Sequence, residues 1–224
     1  MTDLQNIKAF IFDLNGTMIN DMEYHTKGWM HVLNNDLGGN FDYARVKREM
    51  YGKNSEVLKR FFGPDRFTED ELTRISEEKE RQYRKTFLPE LKLIPGLQEF
   101  LQKAKDAGIK MAIASAAIPS NIDFVLDGLQ IREYFQAIVS AHDVVESKPH
   151  PETFLKAAQL LNTPPENCLV FEDAPKGAEA AQNAGMKTVV LTTTHEASEF
   201  IYLENVIGFW NDYESKSNII PHLH

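Results

Sequence analysis

The stretch Lys8-Ala9-Phe10-Ile11-Phe12-Asp13-Leu14-Asn15-Gly16-Thr17 decides how the rest of the chain is read. It opens as a short apolar run, Ala9 to Phe12, whose lack of alternation fits a strand buried on both faces. The run stops on a carboxylate, Asp13. A polar residue, a glycine able to make a tight turn and a hydroxyl follow, at Asn15, Gly16 and Thr17. A strand that delivers a carboxylate to its C-terminal edge, with a loop directly after it, is how open α/β sheets build active sites.

Past Thr17 the pattern changes. Met22, Trp29, Val32 and Leu33 recur with helical spacing, and Leu37-Gly38-Gly39-Asn40 stops that helix. Residues 41–50 and 55–62 read as further short helices, separated by Gly52-Lys53-Asn54, and Gly63-Pro64 breaks the chain again. Thr68 with Glu71 three residues on is a capping box. It opens a long, heavily charged helix towards Phe87, whose Lys79, like Lys53 before it, has a solvated surface lysine as its ordinary reading. Residues 20–91 are therefore expected to be all-helical. Leu93-Ile94-Pro95-Gly96 marks the boundary. Beyond it, strand-like runs at 110–115, 137–140, 168–171 and 187–191 alternate with helices at 97–107, 119–129, 151–161 and 176–184. Short apolar strands linked by helices imply a parallel, doubly wound sheet. The first strand belongs to this sheet. The expected organisation is a Rossmann-like α/β core from 1–19 and 92–224, with 20–91 inserted after the first strand. The tail after Asn211 is polar and is expected to be peripheral.

Composition narrows the function. The chain has 224 residues, of which 42% are hydrophobic, enough to bury a sizeable core. A net charge of -9 argues against a nucleic-acid partner, which rewards basic surfaces. The single cysteine, Cys168, excludes an internal disulfide framework, fits a reducing compartment and lies in an apolar run that reads as core. No apolar run approaches the ~20 residues of a membrane span, and no signal-peptide pattern opens the chain. The expectation is a soluble, cytoplasmic protein with neither a membrane nor a nucleic-acid partner.

Four strand ends carry matching chemistry. Asp13 ends the first strand, Ser115-Ala116 the second, Lys148 follows the third, and Glu172-Asp173 end the fourth. Each alone has an ordinary reading: a turn serine, a surface lysine, a carboxylate pair at a helix N-terminus. In a parallel sheet all the C-terminal ends share one edge, so together these residues converge on one site. Asp13 and Asp173 offer hard oxygen ligands suited to Mg²⁺. The Ser115 hydroxyl and nearby backbone N–H groups can hold phosphate oxygens. Lys148 supplies a point charge for a transferring phosphoryl group. A carboxylate nucleophile can form an acyl phosphate, splitting one hard step into two.

Through F-D-L-N-G-T at 12–17, I-A-S-A-A at 113–117, S-K-P-H-P-E at 147–152 and F-E-D-A-P-K-G at 171–177, the chain resembles the haloacid dehalogenase superfamily. Within it, the chain is similar to the β-phosphoglucomutase-like phosphatases. The resemblance spans nearly the whole chain. It implies a Rossmann-like core with a helical cap, Asp13 as nucleophile, and Mg²⁺ held by Asp13, the carbonyl of Asn15 and Asp173, with Glu172 beside it. It further implies that Thr17, Ser115, the Ala116 N–H and Lys148 hold the phosphoryl group. His25 would face the site from the first cap helix. Gly52-Lys53-Asn54-Ser55 would be the substrate-specificity loop, and Lys53 and Lys79 would supply charge.

One departure matters. The family's phosphatases and mutases carry a second aspartate two residues after the nucleophile, where this chain has Asn15. An amide is neither acid nor base at neutral pH, and losing such a group typically costs on the order of 10²–10⁴-fold in rate. The resemblance therefore implies a Mg²⁺-dependent phosphatase of a small phosphorylated metabolite, working as a monomer and impaired at residue 15. Its rivals are a sugar phosphomutase, weakened by Ser55 where the hexose phosphomutases carry an arginine, and a catalytically weakened phosphometabolite-binding protein. A dehalogenase would leave the Glu172-Asp173 pair idle.

Overall fold

The computed structural model describes residues 6–216 and 220. The first strand, β1 (Ala9–Phe12), is buried along its whole length. The chain then turns helical. α1 (Met22–Met30) runs on into a wider, π-type turn at His31–Asp36, followed by α2 (Tyr43–Glu49) and α3 (Asn54–Phe62). α4 (Glu69–Phe87) starts at a capping box: Thr68 Oγ1 accepts the Glu71 N–H at 3.3 Å, and Glu71 Oε2 accepts the Thr68 N–H at 2.9 Å. These helices pack a core of their own around Trp29, Leu33, Val57, Leu58 and Leu72.

The remainder alternates. α5 (Leu97–Asp106), β2 (Lys110–Ala114), α6 (Pro119–Gly128), β3 (Ala137–Val139), α7 (Glu152–Leu160), β4 (Cys168–Glu172), α8 (Pro175–Asn183) and β5 (Lys187–Leu191) follow in turn. The chain divides into two compact units. One takes the residues up to Asn20 and from Lys92 on, and the other is Asp21–Leu91.

The strands of the first unit form one parallel sheet in the order β3-β2-β1-β4-β5, closed at its far edge by β6 (Val206–Trp210). This is the doubly wound α/β arrangement, with β1 at the centre. Phe12 lies opposite Ile113 of β2 and Phe171 of β4. The two-residue period of a strand sends the side chains of β1 to opposite faces. Phe10 and Phe12 go to the side of α5, where Phe100 and Phe171 stack with them at centroid distances of 4.7–6.4 Å. Ala9 and Ile11 face the small residues of α7 and α8, among them Ala157, Ala180 and Ala181. Burial on both faces is why the strands read as continuous apolar runs.

Two expectations are corrected. The first concerns β6, absent from the strand-like runs of the sequence: Val206-Ile207-Gly208-Phe209-Trp210 is interrupted by a glycine and is only half-buried. The second is that the tail after Asn211 is not peripheral. Tyr213 is buried, its ring 5.4 Å from Phe100 and 5.9 Å from Phe171. Its N–H donates to Pro95 O at 2.9 Å and its hydroxyl to Thr17 O at 3.2 Å. A Cβ on Gly96 would lie 2.4 Å from Glu214 N, so only glycine admits this strap. Residues 217–219 and 221–224 lie outside the described residues. Cys168 is buried core, its thiol donating to Pro164 O at 3.4 Å. Among the described residues no helix is long and apolar enough to cross a membrane.

Candidate active site

The sheet order reverses at β1: β2 and β3 lie on one side, β4 and β5 on the other. The crevice at the carboxyl ends of such strands is where open α/β sheets bind ligands. Asp13 follows β1 directly, its N–H donating to Phe171 O at 2.9 Å. Glu172 is the last residue of β4 and Asp173 the next. All three are buried, and one oxygen from each falls within 4.8 Å of the others. Lys148, from the β3–α7 loop, places its ammonium 2.7 Å from Asp13 Oδ1 and 2.7 Å from Glu172 Oε1.

The electrostatics follow from this crowding. Burial alone would lower the pKa of Lys148, but Asp13 and Glu172 outweigh it and hold the ammonium above its ordinary value. Burial, then the charges of Glu172 and Asp13, push Asp173 well above the usual carboxylate range, against Thr194 and Lys148. Three carboxylates around one ammonium leave a buried negative surplus, which is costly unless another cation balances it. The donors are hard oxygens, the set that divalent hard cations prefer.

Two glycines make room for these carboxylates. A Cβ on Gly16 (φ +76°) would sit 2.1 Å from Asp173 Oδ2, and one on Gly177 of α8 would sit 1.7 Å from Glu172 Oε1. Glu172 Oε2 meanwhile accepts the N–H groups of Asp173 and Ala174, each at 2.7 Å. Thr17 is fully buried and its hydroxyl donates to Asp173 Oδ1 at 3.3 Å. Asn15 sits in the turn that Gly16 closes by donating to Ile19 O at 2.8 Å. Ser115 is buried just past β2, with its Oγ accepting the Ala117 N–H at 3.1 Å. The N–H groups of Leu14 and Ala116 meet no acceptor among the described residues and remain available to an anion.

Two threonines here belong to none of the site motifs of the sequence. Thr194 donates to the Asp173 carboxylate and Thr193 to Gly16 O. Their one cue is position, directly after β5 on the same sheet edge. Glu152 caps the loop that carries Lys148, accepting the N–H groups of Val145 and Glu146 at 3.0 and 2.9 Å.

The helical unit holds a second charged cluster. Lys79 is not on a solvated face: it is 1% exposed. It lies on the same α4 stripe as Leu72, Tyr83 and Phe87, all buried. Its ammonium bonds Glu80 Oε1 and His25 Nδ1, both at 2.7 Å, and lies 5.0 Å from the centre of the Trp29 ring. Burial lowers the pKa of Lys79 while Glu80 opposes that shift. Because Lys79 donates to Nδ1, the other nitrogen of His25 carries its proton towards Asp21, 3.3 Å away. Tyr83 also donates to Asp21, at 2.5 Å. Lys53 is half-buried at the start of α3, its N–H held by Glu56 at 2.9 Å.

Residues 10–191 match the family described as haloacid dehalogenase-like hydrolase. The chain is 33% identical over 189 residues to the β-phosphoglucomutase of Bacillus subtilis (strain 168), covering 82% of each chain. It is 30% identical over 223 residues to pyrophosphatase PpaX of Bacillus mycoides (strain KBAB4), covering 96% of each. The solved β-phosphoglucomutase of Clostridium difficile superposes with a TM-score of 0.82 over 97% of each chain, at 29% identity. The chain belongs to the haloacid dehalogenase-like hydrolases, and within them to the β-phosphoglucomutase-like branch of phosphatases and phosphomutases.

Proposed function

We propose that this enzyme is a Mg²⁺-dependent phosphatase of a small phosphorylated metabolite, with Asp13 as its nucleophile. The observation that carries the reading is the buried Asp13–Lys148–Glu172 contact beside Asp173 at the sheet's switch point. Mg²⁺ held by Asp13, the Asn15 carbonyl and Asp173, with Glu172 beside it, would supply charge neutralisation on the phosphoryl oxygens. An Asp13 oxygen forms the new bond to phosphorus as the ester P–O bond breaks, leaving an aspartyl phosphate and an alkoxide. Lys148, held charged, offsets the phosphoryl charge, while Ser115, Thr17 and the N–H groups of Leu14 and Ala116 fix its oxygens. The alkoxide needs a proton and Asn15 has none to give, so water supplies it slowly. Water then releases phosphate and restores Asp13. The helical unit is read as the cap that decides the substrate, with His25, Lys53 and Lys79 as its proposed contributors.

The test is a phosphatase screen on a phosphometabolite panel with Mg²⁺, comparing wild type, Asp13→Ala and Asn15→Asp. Asp13→Ala abolishes turnover without loss of folding; retained activity overturns the reading. Asn15→Asp raises the rate by roughly 10²-fold or more; rapid wild-type turnover unchanged by it refutes the account of residue 15. The β-phosphoglucomutase relative favours a second reading, which predicts isomerisation of a hexose 1-phosphate in a coupled assay. The Asn15 amide favours a third, a binding protein that takes up metal and ligand without turnover.

A further inference from the structure

Thr192-Thr193-Thr194-His195 leaves the end of β5, the strand next to β4. The Thr194 hydroxyl donates to Asp173 Oδ2. His195 Nδ1 lies 3.1 Å from the Asp173 carbonyl oxygen and 2.9 Å from Thr194 Oγ1. A carbonyl only accepts, so Nδ1 carries the proton. The result is a directed chain, from the His195 N–H to the Thr194 hydroxyl to Asp173 Oδ2, in which each bond polarises the next. The same oxygen is confined from the other side, where a Cβ on Gly16 would lie only 2.1 Å away. Thr193 reinforces that wall by donating to Gly16 O at 2.5 Å. Asp173 Oδ1, by contrast, accepts among the described residues a single long hydrogen bond, from the Thr17 hydroxyl at 3.3 Å.

We infer that Thr194 is a positioning residue that pins Asp173 Oδ2 and thereby presents Oδ1 to a divalent cation. The inference rests on the metal reading of the Asp13–Glu172–Asp173 cluster. A ligating carboxylate that can rotate must be ordered when the ion binds, and hydrogen bonds to such ligands typically govern 10–100-fold in metal affinity. Thr194 bonds Asp173 and His195, so its influence on the cluster passes through Asp173. Thr194→Val removes the donor at nearly constant shape, whereas Thr194→Ser keeps it.

The experiment is a calorimetric titration of Mg²⁺ into the metal-stripped full chain, for wild type, Thr194→Val, Thr194→Ala and Thr194→Ser, with a thermal melt of each metal-free protein. The expected result is a dissociation constant for Mg²⁺ raised about 10–100-fold in the valine and alanine variants, restored by serine, with every variant still melting cooperatively. In steady state the concentration of Mg²⁺ giving half-maximal rate rises in the valine and alanine variants and returns with serine. Should valine disturb the fold, alanine tests the same hydroxyl. Wild-type affinity in both overturns the inference, as does a loss that serine shares, because the hydroxyl is then not the agent. A wild-type protein that takes up no Mg²⁺ defeats instead the metal reading on which the inference stands.

Discussion

Replacing Gly177 with alanine sets two effects against each other, and the structure says which one wins. The residue lies inside α8, where alanine favours the helix by about 1 kcal/mol over glycine. The added Cβ would fall 1.7 Å from Glu172 Oε1. Non-bonded heavy atoms settle at about 3.5 Å, so the carboxylate must retreat by roughly 2 Å. Oε1 is then lost to Lys148, which it now meets at 2.7 Å, and Oε2 is pulled from the N–H groups of Asp173 and Ala174. Hydrogen bonds to charged groups contribute about 1.5–3 kcal/mol each. Losing two of the three outweighs the helix gain and leaves a net destabilisation of about 2–5 kcal/mol. For a chain of this size that lowers the melting temperature by roughly 4–20 °C. Calorimetric melting of the metal-free protein is the assay. A Gly177→Ala protein that melts at or above the wild-type temperature refutes the reasoning: Glu172 would then owe its place to something other than this contact.

Two further outcomes follow from buried polar groups. Lys79→Met removes the ammonium from Glu80 inside the helical unit, and breaking a buried pair this way costs about 3–5 kcal/mol. Urea titration checks it, with Lys79→Met/Glu80→Gln recovering most of the loss; a single variant as stable as wild type would show the pair to be energetically silent. Burial, followed by the Glu166 charge, pushes the Cys168 thiol up to about 12. At pH 8 about one molecule in 10⁴ then carries the thiolate, so iodoacetamide should modify Cys168 at the pace of unfolding, and rapid labelling of the native protein would contradict the burial.

Much of the fold was legible because burial on both faces leaves an unambiguous mark. β1, β2, β4 and β5 are apolar runs of four or five residues, each ended by a residue suited to a turn or a site. β6 left no such mark: it is a half-buried edge strand with Gly208 inside it, and a glycine weakens a strand. Asp13, Lys148, Glu172 and Asp173 were legible because ionisable groups are conspicuous beside strand ends. Thr193 and Thr194 were not, since a hydroxyl in a polar loop has no chemistry until its acceptor is known. Tyr213 hid among Asp212, Glu214, Ser215 and Lys216, and only Gly96 and the pocket of rings admit it. Lys79 was misjudged from the acidic and basic residues around it. Its helical phase, seven residues after Leu72 and four before Tyr83, marks the buried stripe.

The central place of β1 makes the order of synthesis a hazard. Thr17 and Asp173, which touch in the finished site, stand 156 residues apart. At about 5–20 residues per second a ribosome needs roughly 8–30 s to deliver one after the other. Phe10-Ile11-Phe12 has no strand beside it until β2 is made, and its β4 side stays open for the whole interval, while the residues of Asp21–Leu91, made first, already hold everything required for their own core. The nascent chain thus carries a sticky apolar strand ahead of a packable helical segment, the kind of species that aggregates before it can fold. Shielding of that stretch until β4 emerges therefore bears on how much of the enzyme a cell recovers intact.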